Sequence, residues 1–332
     1  MKVLLKKLLR VLSPVQLIAL YYFLAVTVSV ILLSLPVAHK NDVEWSFIDA
    51  LFTAVSAVSV TGLTVVDTAD TFSTAGIWIL AFVLQFGGIG VMALGTFVWL
   101  IFGKRIGLKE RRLIMTDQNQ SNLSGLVKLM KHVLGLILLI ELFGGLILGT
   151  YFLKYFETPG EAFMHGFFTS ISATTNGGFD ITGNSLIPFQ HDYFVQFIVI
   201  MLIILGAIGF PVLIEVKDFL LSKERKFTFS LFTKLTSVTF FLLVIGGAIG
   251  IFATEARFAF SGKSWHEVIF YSLFQSTTTR SGGLATIDIS QFTHTTILFM
   301  CMLMFIGASP SSVGGGIRTT TFALNLLALY HF

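Results

Sequence analysis

The sequence predicts an all-α polytopic membrane protein built from tandem repeats around a pore. Each repeat is a crossing helix, a re-entrant pore helix with a filter loop, and a second crossing helix. Three observations predict it: apolar blocks of spanning length, basic residues gathered in three segments, and a Gly-bearing string that recurs three times.

The 332 residues are 55% hydrophobic and only 12% charged, against about a quarter charged in a soluble domain. Lipid accommodates that much apolar surface; a soluble core of this size does not. Pro14–Ala38, Thr71–Gly103, Tyr193–Ile214, Leu235–Ala253 and Thr295–Ile317 contain no acid or base, and Val133–Leu153 contains only Glu141. A crossing helix needs about 20 such residues, so six spans are expected. The first follows Lys2, Lys6, Lys7 and Arg10 and reads as a retained signal-anchor. Its apolar run exceeds a cleaved h-region, and no small-residue cleavage site closes it. The single cysteine, Cys301, lies within a span, which leaves no disulfide or thiolate cluster within the chain.

Sixteen of the 22 basic residues fall in the N-terminal tail, Lys104–Lys131 and Lys217–Lys234. These segments read as cytoplasmic, and so does the N-terminus. The intervening segments hold twelve acids against four bases, an outer surface that attracts cations. Parity then requires Ala50–Val66, Ala162–Phe179 and Val268–Thr279 to enter and return on one side. Non-helical backbone at membrane depth is tolerated only inside protein or along a water-filled path.

The strings Asp49–Ser56, His165–Ser172 and Ile269–Ser276 resemble one another, and each runs into a polar turn at Gly62, Gly178 or Gly283, 116 and 105 residues apart. An acid (Asp67, Asp180, Asp288) and an aromatic (Phe72, Phe189, Phe292) follow each turn. The repeats divide the chain into 1–103, 104–222 and 223–332. Ser59, Val60, Thr61 and Gly62, then Thr175, Asn176, Gly177 and Gly178, then Ser281, Gly282 and Gly283 are the candidate ion-binding residues. Their backbone carbonyls replace an ion's water shell. Glycine supplies the unusual backbone angles this needs, and the helix before each turn aims its negative end at the ion. No carboxylate lies in these strings, which suits a monovalent cation better than a divalent one.

At these residues the sequence resembles the Trk/Ktr/HKT superfamily of potassium transporters, most like the Ktr-type bacterial membrane subunit. Trp45–Asp67, the stretch Gly103–Arg111, and Met304–Ala308 with the Gly-rich run after it carry the resemblance, which covers the whole chain. It implies potassium uptake, often sodium-dependent, across the bacterial plasma membrane, with K+ at the filter. K+ is then the substrate, Na+ a coupling or activating ion, and no cofactor is bound by this chain. It also implies a homodimer of pore subunits on a cytosolic ring of nucleotide-binding regulatory subunits, with no nucleic-acid partner. The resemblance implies four units set pseudo-fourfold around the pore, and three strings are visible here, so the chain is expected to be a fragment, with three of four repeats present, that does not conduct alone.

Gly307, Ala308, Ser309, Pro310, Ser311, Ser312, Val313, Gly314, Gly315, Gly316, Ile317 and Arg318 interrupt the last span. One Pro, three successive Gly and three Ser oppose a helix there. This run is the candidate gate below the filter, matching the family's gating loop, with Arg318 as its tether or as a cation repellent. Arg280 is expected behind the filter, bonded to backbone carbonyls or to an acid such as Asp288, and Glu141 is expected to pair with a basic residue or to face the protein interior. Lys104–Ser124 and Lys217–Phe229 are the candidate docking surfaces for a regulatory partner.

Enzyme chemistry is disfavoured. The seven histidines form no i,i+4 pair or HExxH, and neither a Gly-x-Ser-x-Gly elbow nor a Walker motif occurs. The alternative is a cation or solute carrier of alternating-access type, or another multi-pass membrane protein without conduction. A carrier predicts inverted repeats, whereas the three units read in one orientation. No span has the run of arginines a voltage sensor needs.

Overall fold

The computed structural model describes residues 13–41, 43–90, 111, 115, 125–222 and 227–331. The N-terminal bases and most of Lys104–Ser124 lie outside the described residues. Eleven helices carry the described architecture. The first unit has α1 (Pro14–Leu33), α2 (Phe47–Val58) and α3 (Thr74–Gly88). The second has α4 (Leu126–Phe152), α5 (Pro159–Thr174), α6 (Tyr193–Ala207) and α7 (Phe210–Leu221). The third has α8 (Leu231–Glu255), α9 (Trp265–Thr278), α10 (His294–Phe305) and α11 (Thr319–His331).

Among the described residues, α1, α4 and α8 are long and apolar enough to cross a membrane. Phe23, Phe143, Leu242 and Met302 are exposed on the helix surfaces, a face suited to lipid. The helices α2, α5 and α9 have 12, 16 and 14 residues. At about 1.5 Å per residue they span about 18–24 Å, short of the ~30 Å hydrocarbon core.

Their starts are set locally. Ser46 and Asp49 form a reciprocal capping box on α2. Thr158 caps the Glu161 N–H on α5, and the Ser264 N–H donates to Glu267 at 2.8 Å on α9. Each first turn thus carries an acid, and no last turn carries a base. The negative helix end is left for whatever lies beyond it.

Close approach between crossing and short helices rests on glycine. A Cβ on Gly166 of α5 would fall against the backbone of Gly149 on α4, and the Phe163 and Phe167 rings lie against Gly149 and Gly145. Small residues let membrane helices approach in this way. Successive units repeat one packing relation: α3 packs on α5, as α6 packs on α9.

Two expected spans are not continuous. Tyr193–Ile214 breaks after Ala207, and α6 and α7 meet at 107°. Gly209 takes φ +102°, and Pro211 sits in the first turn of α7, where its missing N–H is harmless. The apolar run of α3 reaches a second left-handed glycine, Gly90 at φ +88°. Residues 91–103 of that expected span lie outside the described residues. The last span is helical only to Phe305; residues 306–318 are irregular and α11 follows.

Candidate ion pathway

The three Gly-bearing strings converge at the ends of α2, α5 and α9. A Cβ on Gly178 would lie 3.0 Å from the Gly283 Cα and 3.2 Å from the Gly62 Cα. One on Gly62 would lie 2.9 Å from the Gly177 carbonyl oxygen. Gly178 is therefore the middle of three backbones in near contact.

Their conformations match. Gly62, Gly178 and Gly283 have φ of +76°, +71° and +73°. Two residues earlier, Val60, Asn176 and Ser281 are also left-handed, at +55°, +50° and +76°, while Thr61, Gly177 and Gly282 are not. An ordinary strand points successive carbonyls to opposite sides. Alternating the sign of φ turns them toward the same side, the arrangement a carbonyl cation site requires. The sequence points to glycine alone for this geometry; the structure adds three non-glycine residues to it.

Hydroxyls hold the strings. Ser56 Oγ accepts from the Leu63 N–H at 2.9 Å, Ser172 Oγ donates to the Phe179 carbonyl at 2.6 Å, and Thr278 Oγ1 donates to the Leu284 carbonyl at 2.6 Å. These three braces escaped the sequence reading, although Ser56 and Ser172 each stand six residues before their glycine. Ser59 Oγ and Thr175 Oγ1 donate back to the Val55 and Ile171 carbonyls at 2.6 and 2.7 Å. Ser59 and Thr61 share a hydroxyl contact of 2.6 Å. These side chains serve the fold, leaving backbone oxygens for a ligand.

Glycines on the second crossing helices back the strings. A Cβ on Gly87 would lie 2.7 Å from the Val58 carbonyl oxygen, and Gly206 abuts the Thr174 carbonyl. Both precede a left-handed glycine by three residues, and neither was singled out from sequence.

Residues 306–318 fold into a compact loop beside the strings. The Ser309 N–H and Val313 N–H donate to the Ala207 and Gly206 carbonyls at 3.0 and 3.1 Å, and the Phe210 N–H donates to the Ser311 carbonyl at 2.8 Å. The loop thus satisfies the backbone groups freed where α6 and α7 part. Within it the Ala308 N–H donates to the Gly315 carbonyl at 2.9 Å, Ser312 Oγ to the Ser309 carbonyl at 2.6 Å, and Arg318 to the Ser309 and Gly314 carbonyls. Gly307 and Gly316 pack backbone to backbone, and the Pro310 carbonyl lies against Gly209. The Gly315 N–H reaches Ser281 Oγ at 3.1 Å. A cavity of about 300 Å³ separates Val58, Ser59 and Val60 from Val313, Gly314, Gly315 and Arg318.

Arg280 is fully buried behind the third string, donating to the Ile306 carbonyl and to Thr279 Oγ1. Asp288, its other expected partner, instead accepts from the Ser290 N–H. On the acidic face Asp192 gathers Tyr151, Tyr155 and Lys154 around one carboxylate. Burial alone raises the Asp192 carboxyl, but hydrogen bonds from Tyr155, Lys154, Tyr151 and the Val195 N–H together hold it below the usual range.

A helical membrane protein with repeated units, short helices aimed at converging glycine strings and an irregular loop beside them belongs to the class of cation transport proteins. The family model described as TrkH, cation transport protein, matches residues 6–331, and the chain belongs to that family. It is similar to Ktr system potassium uptake protein D of Bacillus subtilis, at 77% identity over 98% of this chain and 73% of the relative. It is also similar to Ktr system potassium uptake protein B of that organism, at 35% identity over 96% of this chain and 70% of the relative. The Potassium/sodium uptake protein NtpJ of Enterococcus hirae is 33% identical over 99% of this chain and 72% of the relative. The crystal structure of the potassium transporter TrkH from Vibrio parahaemolyticus shares the fold, with a TM-score of 0.63 at 20% identity. That likeness covers 87% of this chain, which spans 57% of the TrkH chain.

Proposed function

We propose that the protein takes up potassium through a channel-like path. Ser59–Gly62, Thr175–Gly178 and Ser281–Gly283 form its carbonyl filter, and Gly307–Arg318 forms its gate. The convergence of Gly62, Gly178 and Gly283, each flanked by alternating backbone handedness, carries this reading. The names of the relatives support potassium as the ion, and the name of NtpJ supports a role for sodium. The path sits in the bacterial plasma membrane with the N-terminus in the cytoplasm. A potential of about 100 mV contributes roughly 2.3 kcal/mol per cation entering, enough to drive uptake without a nucleotide site in this chain. A second copy and a cytosolic nucleotide-binding ring are the partners, the ring meeting the basic segments Lys104–Ser124 and Lys217–Phe229.

The test is K+ uptake by bacteria that lack their own uptake systems and express the full-length protein. Wild type supports uptake, and Gly178→Ser abolishes it or lets Na+ compete at normal membrane abundance. Undiminished, K+-selective uptake by Gly178→Ser refutes the filter.

A further inference from the structure

Glu141 lies in the middle of α4 and is 4% exposed. Its Oε2 accepts from Gln85 Nε2 on α3 at 2.8 Å. The other carboxyl oxygen, Oε1, is buried with no partner, and so is Gln85 Oε1. Two acceptors with no donor between them at one contact make an incomplete pair. An ionised carboxylate has no hydrogen to give, whereas a protonated one carries an O–H donor. One proton on Oε1 lets Glu141 donate to Gln85 Oε1 while Gln85 Nε2 donates to Oε2. Both orphaned atoms are then satisfied in a closed acid–amide ring.

Charge points the same way. Among the described residues, α3 carries no ionisable side chain. The packed helix α6 has only Tyr193, at its first position. On α5 the ionisable residues are Glu161 and His165, and the His165 ring stacks on Phe156 at 4.2 Å. On α4 itself they are Lys128, Lys131 and His132 near one end and Tyr151 near the other. The helix α7, which also packs on α4, carries Glu215, Lys217 and Asp218. Among the described residues no ion pair involves Glu141, and an unpaired buried charge is far costlier than a neutral, hydrogen-bonded acid.

The position gives the proton a structural task. Gln85 precedes Gly87 and Gly88, which abut Val60 and Thr175 of the first two strings. The Glu141 main-chain carbonyl accepts from Ser170 Oγ on α5 at 2.9 Å. One residue therefore joins the helix behind the first string to the helix leading into the second. We infer that Glu141 is a buried proton-binding site, held as a neutral carboxylic acid that closes a ring with Gln85 and ties the first unit to the second. Loss of the proton sets two lone-pair-bearing oxygens against each other and opens the tie.

Infrared difference spectra of purified wild type against Glu141→Gln test this at about pH 7, where an ordinary glutamate of pKa about 4.3 is ionised. The inference predicts one protonated-carboxyl C=O band in wild type that the variant lacks. A lost carboxylate band, with no protonated band lost, overturns it. A glutamine at 141 reproduces the ring with an amide, so Glu141→Gln keeps the wild-type unfolding midpoint while Gln85→Leu lowers it by a few degrees. A Glu141→Gln protein that unfolds as early as Glu141→Ala, or fails to fold, overturns it as well.

Discussion

The Gly315 N–H donates to Ser281 Oγ at 3.1 Å, so the loop between α10 and α11 is fastened directly to the third Gly-bearing string. Ser281 is one of the left-handed residues of its string. Its backbone shapes the candidate filter while its side chain holds the candidate gate. Asn176, at the same place in the second string, brings its side-chain amide to the loop at Gly314.

Ser281→Ala removes one hydrogen bond, worth about 1 kcal/mol. That weakens the fastened state of the loop about fivefold and raises Rb+ influx, in uptake-deficient cells expressing the full-length protein, by a factor of that order. Unchanged influx at equal abundance rules out this fastening as a restraint on flow.

Arg318 ties both limbs of the loop through the Ser309 and Gly314 carbonyls. Charge-assisted bonds of this kind contribute about 1.5–3 kcal/mol. Arg318→Gln therefore raises influx more than Ser281→Ala does, and shortening Ser309–Gly316 raises it further. Lower or equal influx in both variants contradicts the gate.

Ser172 braces the second string through the Phe179 carbonyl at 2.6 Å, wholly buried. Ser172→Ala costs about 1 kcal/mol and leaves a carbonyl unpaired beside Gly178. The expected result is a lower K+ over Na+ preference in competition uptake, with total uptake less affected. A preference equal to wild type assigns Ser172 to folding alone.

On the acidic face, hydrogen bonds overcome burial to hold the Asp192 carboxyl below its usual range. A depressed folded value means that its stabilisation is complete above the unfolded value of about 4 and is lost as pH falls through the folded one. Lys154 beside it is raised by its bonds to Tyr151, Asp192 and Tyr155 despite the opposing effect of burial, so it stays charged throughout that window. Asp192→Asn should lower the unfolding midpoint at neutral pH and flatten its fall in acid. An acid profile identical to wild type removes Asp192 from the linkage.

Much of this was legible in sequence because it is local. Spanning blocks follow from apolar runs, and the strings from glycine in polar turns. The irregular loop was legible because Pro310 and Gly314–Gly316 oppose a helix. The break at Gly209 was hidden: Tyr193–Ile214 holds no charged residue, and its opening is compensated by Ser309, Ser311 and Val313 about a hundred residues away. Gly87 and Gly206 were invisible for the same reason, since the Val58 and Thr174 carbonyls that need them close at hand come from distant parts of the chain. For Arg280 the sequence allowed backbone carbonyls or Asp288, and only the fold brings up the Ile306 carbonyl.

The most direct measurement is crystallographic location of Rb+ or Tl+ by anomalous scattering. Carbonyl coordination predicts peaks enclosed by the backbone oxygens of Ser59–Gly62, Thr175–Gly178 and Ser281–Gly283, weakened when Na+ replaces K+ during preparation. Strong peaks elsewhere in the membrane region, with none beside Gly62, Gly178 and Gly283, would contradict a filter at these strings.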